Sequence, residues 1–203
     1  MEQQKNRGSK DKRSPSGRLR IVAGKWRSRL LPVADQAGLR PTPERVRETL
    51  FNWLSPEIEG RKCLDLFAGS GALGLEALSR GAASVVFVEN SKVVAQVLRD
   101  NISLLEAADA MVVETDAMKF INTNAADEFD IVFLDPPFAA DLLEDLCRLL
   151  AGSGKLSCNA KIYLEQERHQ SFPALPAGWS RLKDKVAGNV RYSLVDTAII
   201  ETN

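Results

Sequence analysis

The sequence predicts a doubly wound α/β fold, a Rossmann-like parallel sheet with helices on both faces, and three observations predict it. From residue 61 onward, apolar strand-like runs alternate with helical stretches. The first of these strands leads into a glycine-rich loop and a helix. The composition, 44% apolar and 27% charged in 203 residues, sits at the globular average. A chain of this length holds one ordinary domain plus a short appendage and buries roughly 70% of its unfolded surface, so it needs no staples. Its three cysteines, Cys63, Cys147 and Cys158, have neither the even count nor the spacing of a disulfide framework or zinc site. No metal is therefore expected. No apolar run approaches the roughly 18 residues of a spanning helix, and the polar start MEQQKNRGSKDKR lacks the apolar stretch of a signal peptide. A cytoplasmic monomer with no membrane partner is expected.

Three segments follow from the patterning. Residues 1–17 are polar, without apolar periodicity, and read as a disordered basic tail. Residues 18–56 read as an extension. Here LRIVAG and SRLLPV flank Gly24–Lys25 as a small hairpin, and Thr42 caps a helix with Pro43 at its first position. Val46, Leu50, Trp53 and Leu54 fall on one face of that helix, which Ser55–Pro56 ends. Residues 57–203 form the main domain. Its strands are expected at 62–67, 84–89, 110–114, 129–135 and 160–166, with helices at 71–80, 91–105, near Met118 and at 139–150. Strands that are apolar at nearly every position belong to a parallel sheet buried on both faces, and right-handed crossovers give the order 3-2-1-4-5. Residues 179–187 and 190–200, around Gly188–Asn189, read as an antiparallel hairpin.

The zero net charge conceals an asymmetry. Residues 1–30 carry ten Lys and Arg against Glu2 and Asp11, a net +8 that the remaining chain cancels. A basic end on an acidic body suits a polyanion, although a tail that only aids solubility has the same composition. With Trp26 among the cations, nucleic acid is the favoured partner, gripped through Arg18, Arg20, Lys25, Trp26, Arg27 and Arg29.

Gly69, Gly71 and Gly74 satisfy G-x-G-x-x-G between strand and helix, and Glu89 ends the next strand. Such a loop approaches a ligand closely and offers its negative group a helix N-terminus. Its owner is a dinucleotide or S-adenosylmethionine, and tight strand–helix packing alone would also call for glycines. Asp65 favours the second ligand, since a carboxylate at the strand end repels a pyrophosphate but complements an ammonium and a sulfonium. Glu89 can accept from both ribose hydroxyls of either ligand. Asp116 either holds an adenine amino group or caps the helix that follows.

Strand four ends in Asp135-Pro136-Pro137-Phe138, the most specific signal in the chain. Each proline forces its predecessor out of the helical region and has no N–H to donate. The Asp135 carboxylate and Pro136 carbonyl are thus presented as paired acceptors beside the flat face of Phe138, which matches a planar base bearing an exocyclic NH2. Acceptors on both amine hydrogens would localise the nitrogen lone pair and aim it at a sulfonium methyl, catalysis by orientation and preorganised electrostatics. The strand exit also has a purely structural reading. The cysteines and His169 receive no catalytic role.

The runs LRIVAGKWRSRLL, LRPTPERVRETLFNWL, CLDLFAGSGALGLEALSRGA, VVFVE and FLDPPF together resemble the bacterial 16S rRNA guanine-N2 methyltransferase family (RsmD-like), over about residues 18–200. The resemblance implies a class I methyltransferase fold, S-adenosylmethionine as donor, and N2-methylation of a specific guanine in small-subunit rRNA, within a small-subunit particle or assembly intermediate. It further implies that Asp135, Pro136, Pro137 and Phe138 form the catalytic motif. By the same likeness Arg40, Thr42, Asp65, Phe67, Ala68, Gly69, Gly71, Glu89, Asn90, Asp116 and Ala117 line the cofactor, with the segment from Arg40 closing over its methionine end. The long charged tail is a departure from the family pattern. Other readings are methylation of another amine, such as adenine N6, a nicotinamide-dependent oxidoreductase, and a non-catalytic RNA-binding assembly factor.

Overall fold

The computed structural model describes residues 17–39, 41–123, 128–137 and 142–198. The expected basic tail falls outside them except for Gly17, which opens a strand. Strands β1 (Gly17–Arg20) and β2 (Leu30–Val33) pair antiparallel, joined by a nine-residue loop rather than the tight turn expected at Gly24–Lys25. Gly24 has φ +81° and lies so close to the Ser79 carbonyl that a Cβ there would overlap it, so it serves as a docking point and not as the hairpin turn. Helix α1 (Glu44–Leu54) follows and buries Val46, Arg47, Leu50, Phe51 and Leu54. Trp53, half-buried, stacks on Tyr192. Pro43 occupies the cap position and no side chain caps the helix, contrary to the role expected of Thr42. The Thr42 hydroxyl is committed elsewhere.

The main sheet has the order β5-β4-β3-β6-β7-β9-β8. Strands β3 (Lys62–Asp65), β4 (Ser84–Glu89), β5 (Ala110–Glu114), β6 (Phe129–Leu134) and β7 (Leu156–Glu167) run parallel, and β9 (Val190–Asp196) inserts antiparallel between β7 and β8 (Ser180–Ala187). This is the predicted 3-2-1-4-5 order extended by the C-terminal hairpin. Strand β7 begins four residues earlier than predicted. Phe129 pairs with Leu156 and Ile131 with Lys161, so a bulge absorbs the extra residues.

Side chains alternate between the two faces as strand geometry requires. Ile131 and Phe133 join a core with Cys63, Phe87 and Tyr163, covered by α1, α2 (Ala72–Ser79) and α3 (Lys92–Leu104). Val132 and Leu134 join the opposite core with Leu64 and Leu164, covered by α4 (Ala117–Ile121) and α5 (Leu143–Gly152). Leu19, Ile21, Trp26 and Leu31 of the N-terminal segment belong to the first core, so that segment is packed into the sheet's own hydrophobic interior. Each such large side chain contributes about 1.5–3 kcal/mol on burial. Among the described residues, no helix is long and apolar enough to cross a membrane.

Candidate active site

The chain reverses its winding direction between β3 and β6, and the parallel strands end together along one edge of the sheet. A crevice at the carboxyl ends of such strands is where ligands of doubly wound sheets bind. Asp65 closes β3, Glu89 closes β4, Asp116 follows β5 and Asp135 follows β6. Sheet topology therefore brings to one edge four acids that are up to 70 residues apart in the chain.

The glycine loop is closely packed. Gly71 has φ +76° and a Cβ there would lie 2.5 Å from Leu98, while one on Gly74 would lie 2.2 Å from the Phe87 ring. Gly71 answers a left-handed backbone and Gly74 answers close helix–strand packing. The Gly74 N–H donates to Asp65 Oδ2 at 3.0 Å, which ties the strand end to the first turn of α2. On the other side of the loop the Gly69 N–H donates to Glu89 Oε2 at 2.9 Å, and the Ser91 N–H to Glu89 Oε1 at 2.7 Å. Phe67 and Ala68 lie within this loop, and Asn90 is exposed beside Glu89. Asp116 Oδ1 accepts the Lys119 N–H at 3.0 Å, so the capping role exists, and its side chain remains exposed. Ala117 is buried in the first turn of α4.

Asp135 is half-buried, Pro136 buried and Pro137 exposed. The Thr42 hydroxyl donates to Asp135 Oδ2 at 3.4 Å. Arg40 and Phe138, both expected in the site, lie outside the described residues. Two further groups escaped the sequence reading. Tyr163 and Glu165 sit on β7 beside the end of β6, with the tyrosine hydroxyl donating to Glu165 Oε2 at 2.7 Å. A charged residue inside an apolar strand run was the available signal for Glu165.

Among the described residues, Asp65, Asp135 and Glu165 have no cationic partner. Burial pushes Asp65 up to about 7, against the pull of the Gly74 N–H, with the charges of Asp135 and Glu89 adding to the rise. Burial likewise raises Asp135 to about 6, opposed by the Thr42 hydroxyl. Glu165 is lifted to about 8 by burial and then by Asp135, opposed by the Tyr163 hydroxyl. An under-compensated acidic crevice fits a ligand bearing positive charge. The ammonium and sulfonium of S-adenosylmethionine meet that condition, and the pyrophosphate of a dinucleotide does not. Among the described residues, no group of three or more His, Cys, Asp or Glu is placed to hold a metal ion.

The basic set divides. Arg18, Lys25, Arg27 and Arg29 are exposed on β1 and the loop after it. Arg20 is exposed but engages Glu44 at 3.6 Å. Trp26 corrects the expectation: it is only 8% exposed and packs into the first core, its backbone N–H donating to Ser79 Oγ at 3.0 Å. An indole with so little exposed surface cannot stack on a base. It anchors the loop, with the Lys25 ammonium 5.2 Å from the centroid of its ring.

Beneath that loop lies a polar network the sequence did not reveal. Glu76, fully buried, accepts from the Val22 and Ala23 N–H groups at 2.8 and 3.0 Å, from Arg47 at 3.1 Å and from Arg80 at 2.8 Å. Arg47, 1% exposed, also donates through Nε to the Thr42 carbonyl at 3.1 Å and through Nη2 to the Arg20 carbonyl at 2.7 Å.

The sheet order and the acidic crevice at its switch point define a class I methyltransferase fold. The family model described as "Conserved hypothetical protein 95" matches residues 19–196. The Escherichia coli (strain K12) protein named "Ribosomal RNA small subunit methyltransferase D" is 51% identical over 185 residues, covering 91% of this chain and 93% of the relative. Its Haemophilus influenzae namesake is 46% identical, covering 88% and 93%. The solved structure of yhhF from Escherichia coli, named provisionally as a methyltransferase, superposes with a TM-score of 0.84 at 48% identity, covering 90% of this chain and 99% of that one. The chain belongs to this family, that of the small-subunit rRNA methyltransferase D.

Proposed function

We propose that this protein transfers a methyl group from S-adenosylmethionine to the exocyclic N2 amine of a specific guanine in 16S rRNA, in the bacterial cytoplasm. The observation that carries the reading is the pairing of Asp65 at the end of β3 with Asp135–Pro136 at the end of β6, on either side of the switch point. The names and similarity of the relatives support rRNA as the substrate class. The D-P-P-F motif supports a planar base with an amine.

In this reading Asp65 attracts the donor's positive charge and Glu89 accepts from its ribose hydroxyls. When bound, the donor would supply an electrophilic methyl carbon on a sulfonium, whose S–C bond breaks as the N–C bond forms to leave the neutral thioether S-adenosylhomocysteine. Asp135 and the Pro136 carbonyl accept the two amine hydrogens, turning the nitrogen lone pair toward that carbon. Phe138, the next residue but one, stacks on the purine. Once the nitrogen has gained a fourth bond it must lose a proton, and the adjacent Asp135 carboxylate accepts it. Asp135 must therefore be ionised before reaction. Guanine N2 is engaged in pairing within a helix, so the target base must be unpaired or flipped out. Arg18, Arg20, Lys25, Arg27 and Arg29 grip phosphates of the surrounding RNA.

The test offers labelled S-adenosylmethionine with naked rRNA, small-subunit particles and DNA, and identifies the labelled nucleoside by mass. N2-methylguanosine in rRNA is expected. Label in N6-methyladenosine overturns the choice of base, and absence of transfer to any of the three overturns the reading.

A further inference from the structure

Asp135 carries two oxygens, and the structure treats them unequally. Oδ2 accepts from the Thr42 hydroxyl at 3.4 Å, whereas Oδ1 has no hydrogen-bond partner among the described residues. Thr42 is 6% exposed and lies in the segment before α1, 93 residues from Asp135 in the chain. It caps nothing, so local helix chemistry does not explain its hydroxyl. Its own carbonyl is fixed by Arg47 Nε, and Arg47 is fixed in turn by Glu76 at 3.1 Å and by the Arg20 carbonyl at 2.7 Å. A planar guanidinium spreads five donors in a fixed fork and so holds three chain segments in set directions, where a lysine offers three donors on one freely rotating atom.

We propose that Thr42 and Arg47 are positioning residues for methyl transfer: the Thr42 hydroxyl occupies Asp135 Oδ2, reserving Oδ1 for the substrate amine, and Arg47 fixes Thr42 in place. The inference deepens the methyltransferase reading and rests on it. A hydrogen bond donated to a carboxylate favours its ionised form. The other described groups facing Asp135 work the opposite way or add no cation. Asp65 on β3 shares its negative field, Glu165 on β7 interacts with it electrostatically, and Tyr163 gives its proton to Glu165 instead. Thr42 is thus the one donor to the Asp135 carboxylate among the described residues. The same Arg47 holds the Arg20 carbonyl at the start of the basic loop, so the phosphate-gripping segment and the reacting acid share one frame.

The test compares Thr42→Val, Thr42→Ser and Arg47→Lys with the unaltered protein. Readouts are kcat, the KM for S-adenosylmethionine, and the pH profile of kcat from pH 5 to 9, with rRNA saturating. Thr42→Val keeps the shape but removes the donor. Its kcat should fall roughly 10-fold near pH 6 with a smaller loss near pH 9. The acidic limb should move to higher pH, because losing the donor raises the Asp135 pKa. Thr42→Ser should restore both. Arg47→Lys, which keeps the buried charge opposite Glu76, should move the limb the same way by less. A Thr42→Val protein that changes only the donor KM, with the limb unmoved, would overturn the proposal and leave Thr42 as a cofactor contact. Loss of kcat by the same factor at every pH, without rescue by serine, would also overturn it. If the unaltered protein transfers no methyl group, the underlying reading has failed and the inference with it, whereas a normal parent beside an unaffected Thr42→Val protein sinks the inference alone.

Discussion

Buried Glu76 and the buried or half-buried acids of the crevice lie within the same fold and are treated in opposite ways. Glu76, under the N-terminal loop, meets two guanidinium groups and two backbone N–H groups. Among the described residues, Asp65, Asp135 and Glu165, along the crevice, receive one side-chain or backbone donor each and no cation. A buried charge is costly unless paired, so a fully partnered carboxylate holds structure together while an under-partnered one stores a demand for positive charge. The difference teaches where the molecule is finished by folding and where it awaits a ligand.

The comparison can be broken most directly at Asp135. Asp135→Asn should lower methyl transfer by about 10³-fold while donor binding persists, since a preorganised acceptor aimed at developing charge is worth that order of magnitude. Steady-state transfer alongside calorimetric titration of the donor checks both halves. Equal losses in binding and transfer would make Asp135 a cofactor residue instead.

The structural acid should fail differently. Glu76→Gln leaves Arg47 and Arg80 facing a neutral group, and breaking a buried pair costs about 3–5 kcal/mol. The melting temperature should fall by on the order of 10 °C in calorimetry. No such loss is expected from changing a crevice acid.

The crevice acids should instead burden the ligand-free protein. Burial pushes Asp65, Asp135 and Glu165 up to about 7, 6 and 8 in the fold. All three stand above their unfolded values of about 4, so the folded state binds more protons than the unfolded chain. The stability linked to them is fully present below pH 4 and is lost as pH rises through 6 to 8. Donor-free protein should therefore melt several degrees lower at pH 8 than at pH 5.5, apart from any change elsewhere. Asp135→Asn should recover ~2 °C or more at pH 8, and saturating S-adenosylmethionine should narrow the gap. A melting temperature that rises over the same interval would contradict the contrast drawn between the two groups.

The smallest effect belongs to the loop that Glu76 anchors. Replacing Lys25, Arg27 and Arg29 with alanine should weaken rRNA binding and reduce the slope of log affinity against log salt by about 2–3 units. Thermal stability should change little, because these side chains are exposed. An unchanged salt slope would remove this face from the RNA interface.

Much of this contrast was legible before folding was considered, and part was not. Asp65 and Asp135 stood out because each closes an apolar strand, one before glycines and one before prolines. Glu165 did not, since Y-L-E reads as ordinary strand and the acid it interacts with, Asp135, lies 30 residues earlier in the chain. Trp26 reads as RNA-facing from its cationic sequence neighbours, whereas in the fold it shares a core with Leu19, Ile21 and Leu31. Local spacing makes Thr42 a helix cap, whereas in the fold its hydroxyl donates to a residue 93 positions away.

Local sequence determined the periodic elements, the strand order that right-handed crossovers impose, and the glycine and proline corners whose backbone conformation few other residues can adopt. Those properties depend on neighbours within a few residues. Tertiary structure alone decided that Glu76 obtains two guanidinium partners while the crevice acids, among the described residues, meet only neutral donors. That outcome turns on distances between segments far apart in the chain, and on a low-polarity interior that exists only once the chain has folded.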